Sequence, residues 1–234
     1  MKLRPLFVAL SAACLLLSGC AKFPSTGTSG QTKRLLFRMT TAAPLRTGLD
    51  GGGLPYVYVV ALRLSTDPNP VDQGPIPIVI PGGNGIVAGN ATHFILWNPL
   101  ASPQYTIYRF TSATLEQWTP VGTPINYQPV QNGDSELFFE LDMSQLVTAE
   151  EVDGIQSIQA NFLTMNAIQT GGGGRIWDAL GDSTNPAEVN RYFQFQPRTS
   201  FEYTNANQGN IEPTGDTTDP QLDISNWSIE VRLP

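Results

Sequence analysis

The sequence predicts an all-β protein, an antiparallel β-sandwich with very little helix, with a jelly roll or an immunoglobulin-like layout as the alternative arrangements. Three observations carry that expectation. Short apolar runs alternate with a period of two and are separated by turn-forming residues. Charged residues are only 14% of the chain, while the 22 Gly and 19 Pro are joined by abundant Thr, Asn and Gln, the profile of a β-protein outside the cytoplasm rather than of a helical enzyme. No internal repeat is visible, and only one stretch reads as a helix.

The chain opens with Lys2 and Arg4, continues as an apolar run from Leu6 to Leu17, and closes that run with Leu17-Ser18-Gly19-Cys20. A basic start, a short apolar middle and small residues at the exit describe a secretory leader over residues 1–19. The run is too short to span a membrane, which takes ~20 apolar residues. Its last four residues resemble the lipobox of bacterial lipoproteins. That resemblance implies lipid on the Cys20 thiol and a mature chain beginning at Cys20. Residues 20–32 then form a lipidated tether, whose twelve small and polar residues after Cys20 span roughly 20 Å as a random coil. In Gram-negative lipoproteins of this kind, a residue other than Asp after the lipidated Cys, here Ala21, directs the protein to the outer membrane.

Residues 1–19 carry two of the 13 basic residues and none of the 20 acidic ones, so the rest of the chain has 11 basic residues and a net charge of −9. That argues against nucleic acid, whose phosphates need clustered Lys and Arg. The two cysteines, Cys14 and Cys20, lie in the leader and at the lipid site. The body therefore has no disulfide and no thiolate metal site, and a single domain over 33–234 must depend on its core.

Along that domain, Lys33 to Met39 reads as a first strand and Gly51-Gly52-Gly53 as a loop. Tyr56 to Leu64 is apolar on both faces, which places it in the middle of a sandwich. Prolines 68, 70, 75 and 77 restrict Ile76 to Ile80 to an edge strand, and Pro81 to Gly85 is a turn. His93 to Trp97, Tyr105 to Thr111 and Leu137 to Asp142 follow as strands. The last puts Leu137, Phe139 and Leu141 on one face and Glu136, Glu140 and Asp142 on the other, with Phe138 out of pattern. Ser144 to Glu151 is the one predicted helix. Gly154 to Met165 aligns Ile158, Ala160 and Phe162, and Gly171 to Gly174 is a loop. Arg191 to Gln196 points Phe193 and Phe195 inward; Thr204 to Pro220 is polar and irregular. The closing strand alternates Trp227, Ile229, Val231 and Leu233 with Ser228, Glu230 and Arg232.

Catalytic constellations are scarce. The single histidine, His93, has no Gly-x-Ser-x-Gly elbow to serve, and the glycine runs lack the ending of a phosphate loop. Glu136, Glu140 and Asp142 place neighbouring carboxylates ~7 Å apart on one strand face. That spacing suits an inverting glycosidase, and equally a charged solvent face opposite a core face. Asp67, Asn69 and Asp72 in one loop, and Asp216, Asp219 and Asp223 in another, offer oxygen ligands for a structural Ca²⁺. Asp and Asn in such loops also cap turns. Aromatic rings with side-chain amides suit sugars: Gln159 and Asn161 are expected to point outward from one strand and Tyr192, Gln194 and Gln196 from another. Trp97, Trp118 and Trp177 stand near strand ends. Solvent-facing amides and core-capping tryptophans would give the same pattern.

The stretches YVYVVALRLSTDPNP, IQANFLTMN, RIWDALGD and WSIEVRLP resemble uncharacterised bacterial lipoproteins, and are similar in layout to the DOMON and family-9 carbohydrate-binding sandwiches. In those families a central aromatic-rich strand ends in an Asp-containing loop. No haem-binding Met/His pair can be assigned in this chain. The resulting expectation is an extracytoplasmic, lipid-anchored, non-catalytic binding module with a glycan as ligand and no cofactor beyond the Ca²⁺ already named. A structural or assembly lipoprotein that offers an edge strand to an envelope protein is the alternative, and a weak glycoside hydrolase a second one.

Overall fold

The computed structural model describes residues 33–48, 53–79, 82–168 and 175–234. The leader, Cys20 and the tether lie outside the described residues, as do residues 51–52 and 171–174 of the two glycine loops.

Two antiparallel sheets face each other. The first contains β1 (Arg34–Thr41), β8 (Asn126–Tyr127), β9 (Glu136–Asp142), β13 (Phe201–Thr204) and β14 (Ile224–Arg232), in the order β13-β14-β1-β9-β8. The second contains β2 (Val57–Ser65), β5 (His93–Trp97), β6 (Tyr105–Phe110), β7 (Trp118–Gly122), β10 (Ser157–Met165) and β11 (Trp177–Ala179), in the order β11-β10-β2-β5-β6-β7. β12 (Phe193–Phe195) extends the β11 side by pairing with Ile158 to Ala160 of β10. A short ladder of β3 (Pro75–Pro77) and β4 (Val87–Gly89) stands apart. The all-β expectation is met.

The period-2 pattern explains the core. Leu35, Phe37 and Met39 of β1 meet Leu137, Phe139 and Leu141 of β9 and Trp227, Ile229 and Val231 of β14 on one inner face. Tyr58, Val60, Leu62, Ile95, Ile107, Ile158 and Phe162 supply the other. Phe37 stacks on Phe139 at 5.2 Å between ring centres, and Phe162 sits 5.8 Å from Trp227 across the sheets. Phe138, out of pattern, lies on the outer face with the Arg38 guanidinium 4.4 Å above its ring.

β2 is apolar on both faces because the second sheet is covered twice. Its outer face, with Val59, Ala61, Phe94, Leu163 and Met165, packs against Ile86, Val87, Ala91 and Leu115 from the β3–β4 ladder and neighbouring loops. Asn84 holds this layer: its amide donates to the Val87 and Leu115 carbonyls, and its oxygen accepts from the Ile86 and Val87 amides. At Gly89, φ is +74° and a Cβ would lie 2.1 Å from the Gly74 carbonyl oxygen, so only glycine lets the two segments close.

The predicted helix over 144–151 is corrected to a single 3₁₀ turn, Met143–Gln145, followed by non-helical chain up to a second turn at Val152–Gly154. Asp142 caps the first by accepting from the Ser144 amide while Gln145 accepts from the Asp142 amide. A second local bond, from the Thr148 amide to the Glu151 carboxylate, turns the chain before a further helical turn can form. β4, β7, β8, β11 and β13 were not expected as strands. Each is five residues or shorter, and β7 is exposed throughout, so none carries a buried alternation to be read.

Candidate functional site

Register separates the residues that composition grouped for sugar binding. Trp97 pairs with Tyr58 at one end of β2, faces the inner core and is 2% exposed. Gln159 pairs with Arg63 toward the other end, on the outer face. The expected outward exposure of Gln159 and Asn161 is corrected: both are fully buried beneath the covering layer. The Asn161 amide donates to the Pro75 and Arg191 carbonyls, and its oxygen accepts from the Leu180 amide. Gln159 donates to the Gln194 side chain and accepts from Arg63. Tyr192 and Gln194 are half-buried in the same layer, where a Cβ on Gly74 would meet the Tyr192 ring at 2.8 Å. Gln196 is exposed, Trp177 is half-buried on β11, and Trp118 stands edge-on to Phe94 at 5.9 Å. These eight residues form no single surface.

The carboxylates considered for hydrolysis are engaged by the fold. Glu136 pairs with Arg38 at 2.8 Å, buried Glu140 with Arg34 at 3.1 Å, and Asp142 forms the cap described above. His93 is buried, with Nδ1 3.0 Å from the Thr92 hydroxyl, and burial followed by the nearby Arg109 charge lowers its pKa to about 4.

Two features gather at the pole where β2, β5 and β10 meet their loops. The first is a cleft of about 450 Å³ walled by Leu54, Tyr56, Trp97, Leu100 and Ile168. Asn98 and Asn166 also line it. Each accepts a loop N–H through its side-chain oxygen, from Leu100 and Ile176 respectively, and the Nδ2 group of each has no partner among the described residues.

The second is a carboxylate cluster. Ligand oxygens of Asp178, Asp216 and Asp223 lie within 4.8 Å of one another. Alternate amides along an extended run hold their neighbours: Ala179 donates to Asp178 at 3.0 Å, Gly181 to Glu212 at 2.9 Å and Ser183 to Asp216 at 2.7 Å. Ile224 donates to the second Asp178 oxygen, and Gly215 to both oxygens of Asp223. Glu212 is 1% exposed, its backbone clamped by Asn205 on both the N–H and C=O sides. Glu212 Oε1 and Asp216 Oδ1 are buried without a partner. Among the described residues no lysine or arginine pairs with any of the four. Burial, and then mutual repulsion, pushes the Asp178 carboxyl up to about 8 and Glu212 up to about 11, and Asp216 rises in the same direction.

The sequence places Asp216, Asp219 and Asp223 in one loop without singling out ligands, and the structure brings Asp216 and Asp223 together. Asp219 stands apart as a turn cap, accepting from the Gln221 amide and the Tyr56 hydroxyl. Asp178 and Glu212 were missed, since pairing of β11 with β10 and a long irregular segment bring them in. The Asp67-to-Asp72 loop is a set of turn caps, with Asp67 accepting from the Asn69 amide and Asp72 pairing with Arg63. Comparison with family models, curated proteins and solved structures gives no match.

Proposed function

We propose that the chain is a lipoprotein anchored outside the cell through Cys20, and that its β-sandwich is a non-catalytic module that binds a glycan in the cleft at the 54–57, 96–100 and 166–168 pole. The observation that carries this reading is the cleft's chemistry. An apolar wall of Leu54, Tyr56, Leu100 and Ile168 can meet the C–H face of a sugar ring, while the uncommitted amides of Asn98 and Asn166 can donate to hydroxyls. Strand direction supports it as well. β1 runs from Lys33 away to Thr41, so the cleft lies about eight residues of strand, on the order of 25 Å, from the point where the tether would join.

The test is retention of the full chain on a glycan array and on cell-wall polysaccharide. One polysaccharide class is expected to bind, with affinity falling about tenfold in Asn98→Ala and Asn166→Ala, the loss of a hydrogen bond or two at each. Failure to bind any polysaccharide, with one envelope protein recovered by crosslinking instead, would overturn the glycan reading. It would favour the assembly role, for which the exposed edge of β7 is the available surface.

A further inference from the structure

We propose that Asp178, Asp216 and Asp223, with Glu212 beside them, form a Ca²⁺ site that holds the 178–183 run, the 205–223 segment and the start of β14 together.

Geometry is the first ground. Three carboxylates from two stretches of chain, β11 and the 216–223 loop, converge within 4.8 Å, the spacing of ligands around one ion. Backbone N–H groups orient all three: both oxygens of Asp178 and of Asp223 accept from main-chain amides, and Asp216 accepts through one oxygen while its Oδ1 has no donor. A second, independent ground is Glu212, which lies outside that trio. It is almost completely buried, one oxygen is tied to the Gly181 amide, and the other has no donor, while its nearest electrostatic neighbours are Asp178 and Asp216. A buried charged oxygen without a donor is costly, so a site that collects two such oxygens must be neutralised, by protons when empty or by a cation that replaces them.

The donor set selects the ion. All four groups are carboxylates, with no His or Cys, which disfavours zinc and suits a hard cation. Ca²⁺ accepts 6–8 oxygens in irregular geometry, whereas Mg²⁺ demands a near-ideal octahedron and retains most of its waters. Asp216 is the least buried of the four residues. The surroundings are also suitable: Trp177 adjoins Asp178 in sequence, and its carbonyl accepts from the Thr217 hydroxyl. That indole can therefore sensitise a lanthanide in the site.

The full chain, purified in detergent with EDTA, is titrated with Ca²⁺ while its unfolding temperature is followed, and separately with Tb³⁺ while terbium emission is excited through tryptophan. Saturable stabilisation by Ca²⁺ is expected, together with terbium emission that Ca²⁺ displaces. Asp216→Asn and Asp178→Asn should each weaken Ca²⁺ binding at least about tenfold, yet in EDTA Asp216→Asn should unfold no earlier than the wild type, because its Oδ1 has no hydrogen bond to lose and one member of a mutually repelling cluster is removed. A residue with a merely structural role would not show that reversal. Should either variant fail to fold, Trp177→Phe offers the second readout: it should abolish terbium emission and leave the Ca²⁺ stabilisation intact. Absence of both the thermal and the terbium response, or a Ca²⁺ response unchanged in the Asn variants, overturns the assignment.

Discussion

The inner core and the 175–224 region are ordered by opposite means. Between the sheets, Phe37, Phe139, Phe162 and Trp227 interlock with almost no polar atoms, and order follows from removing apolar surface from water. In the 175–224 region Leu180, Phe193, Phe195 and Leu222 are buried too, but beside them lie the buried polar groups Asp178, Asn205, Glu212 and Asp223, and order there depends on how each of these is satisfied. The covering layer over the outer face of the second sheet lies between these extremes, with an apolar floor and an amide-clamped rim. Apolar burial tolerates changes of pH and ions. A polar cluster takes whatever charge compensation its surroundings supply, so the same fold carries one robust region and one conditional region.

That contrast can be broken at its strongest point by Phe162→Ala. The cavity at the crossing of the two sheets should lower stability by about 3–5 kcal/mol in denaturant titration, with both regions unfolding together. A small loss, or a transition confined to one region, would show that the core does not set the global stability.

His93 is the polar exception at the edge of the apolar core and gives the next largest effect. Its imidazole resists protonation when folded, with a pKa of about 4 against 6.5 when free. The unfolded chain therefore binds the proton first, and stability should fall as pH drops from about 6.5 to about 4, levelling below. The drop is roughly 3 kcal/mol, and in His93→Gln that component of the acid profile should vanish. An unchanged profile in the variant would place the acid sensitivity elsewhere.

Asn161→Ala sharpens the comparison within the covering layer. It leaves the Pro75 and Arg191 carbonyls and the Leu180 amide without their partner, for a loss of about 1–3 kcal/mol. Hydrogen exchange should rise in β3, β4 and residues 180–191 while β1, β9 and β14 stay protected. Uniform loss of protection would argue that the layer and the core are a single cooperative unit. The smallest effect belongs to the solvent face of the first sheet. Arg38→Ala removes an exposed ion pair to Glu136 and the contact over Phe138, and should cost no more than about 1 kcal/mol.

The fold was readable wherever a strand buries one face and wets the other. In β9 and β14 the apolar positions Leu137, Phe139, Leu141, Trp227, Ile229 and Val231 all face the core as their alternation indicates, and the doubly apolar β2 was correctly placed between neighbours. Gln159 and Asn161 misled for a definite reason. On an outer sheet face, alternation cannot distinguish water from a second layer, and a buried amide bonded to main-chain carbonyls has the same sequence signature as a solvated one. Asp216 and Asp223 were legible as members of one Asp-bearing loop, whereas Asp178 and Glu212 reach them only through tertiary packing.

Local patterning by itself therefore determined the strand-rich architecture, the inner core and the dearth of helix, because period-2 burial is written into neighbouring residues. Tertiary structure alone decided which polar groups are covered, where the cleft opens and that three carboxylates meet beside Glu212, because each of these depends on segments distant in sequence whose approach is set by sheet register and loop packing.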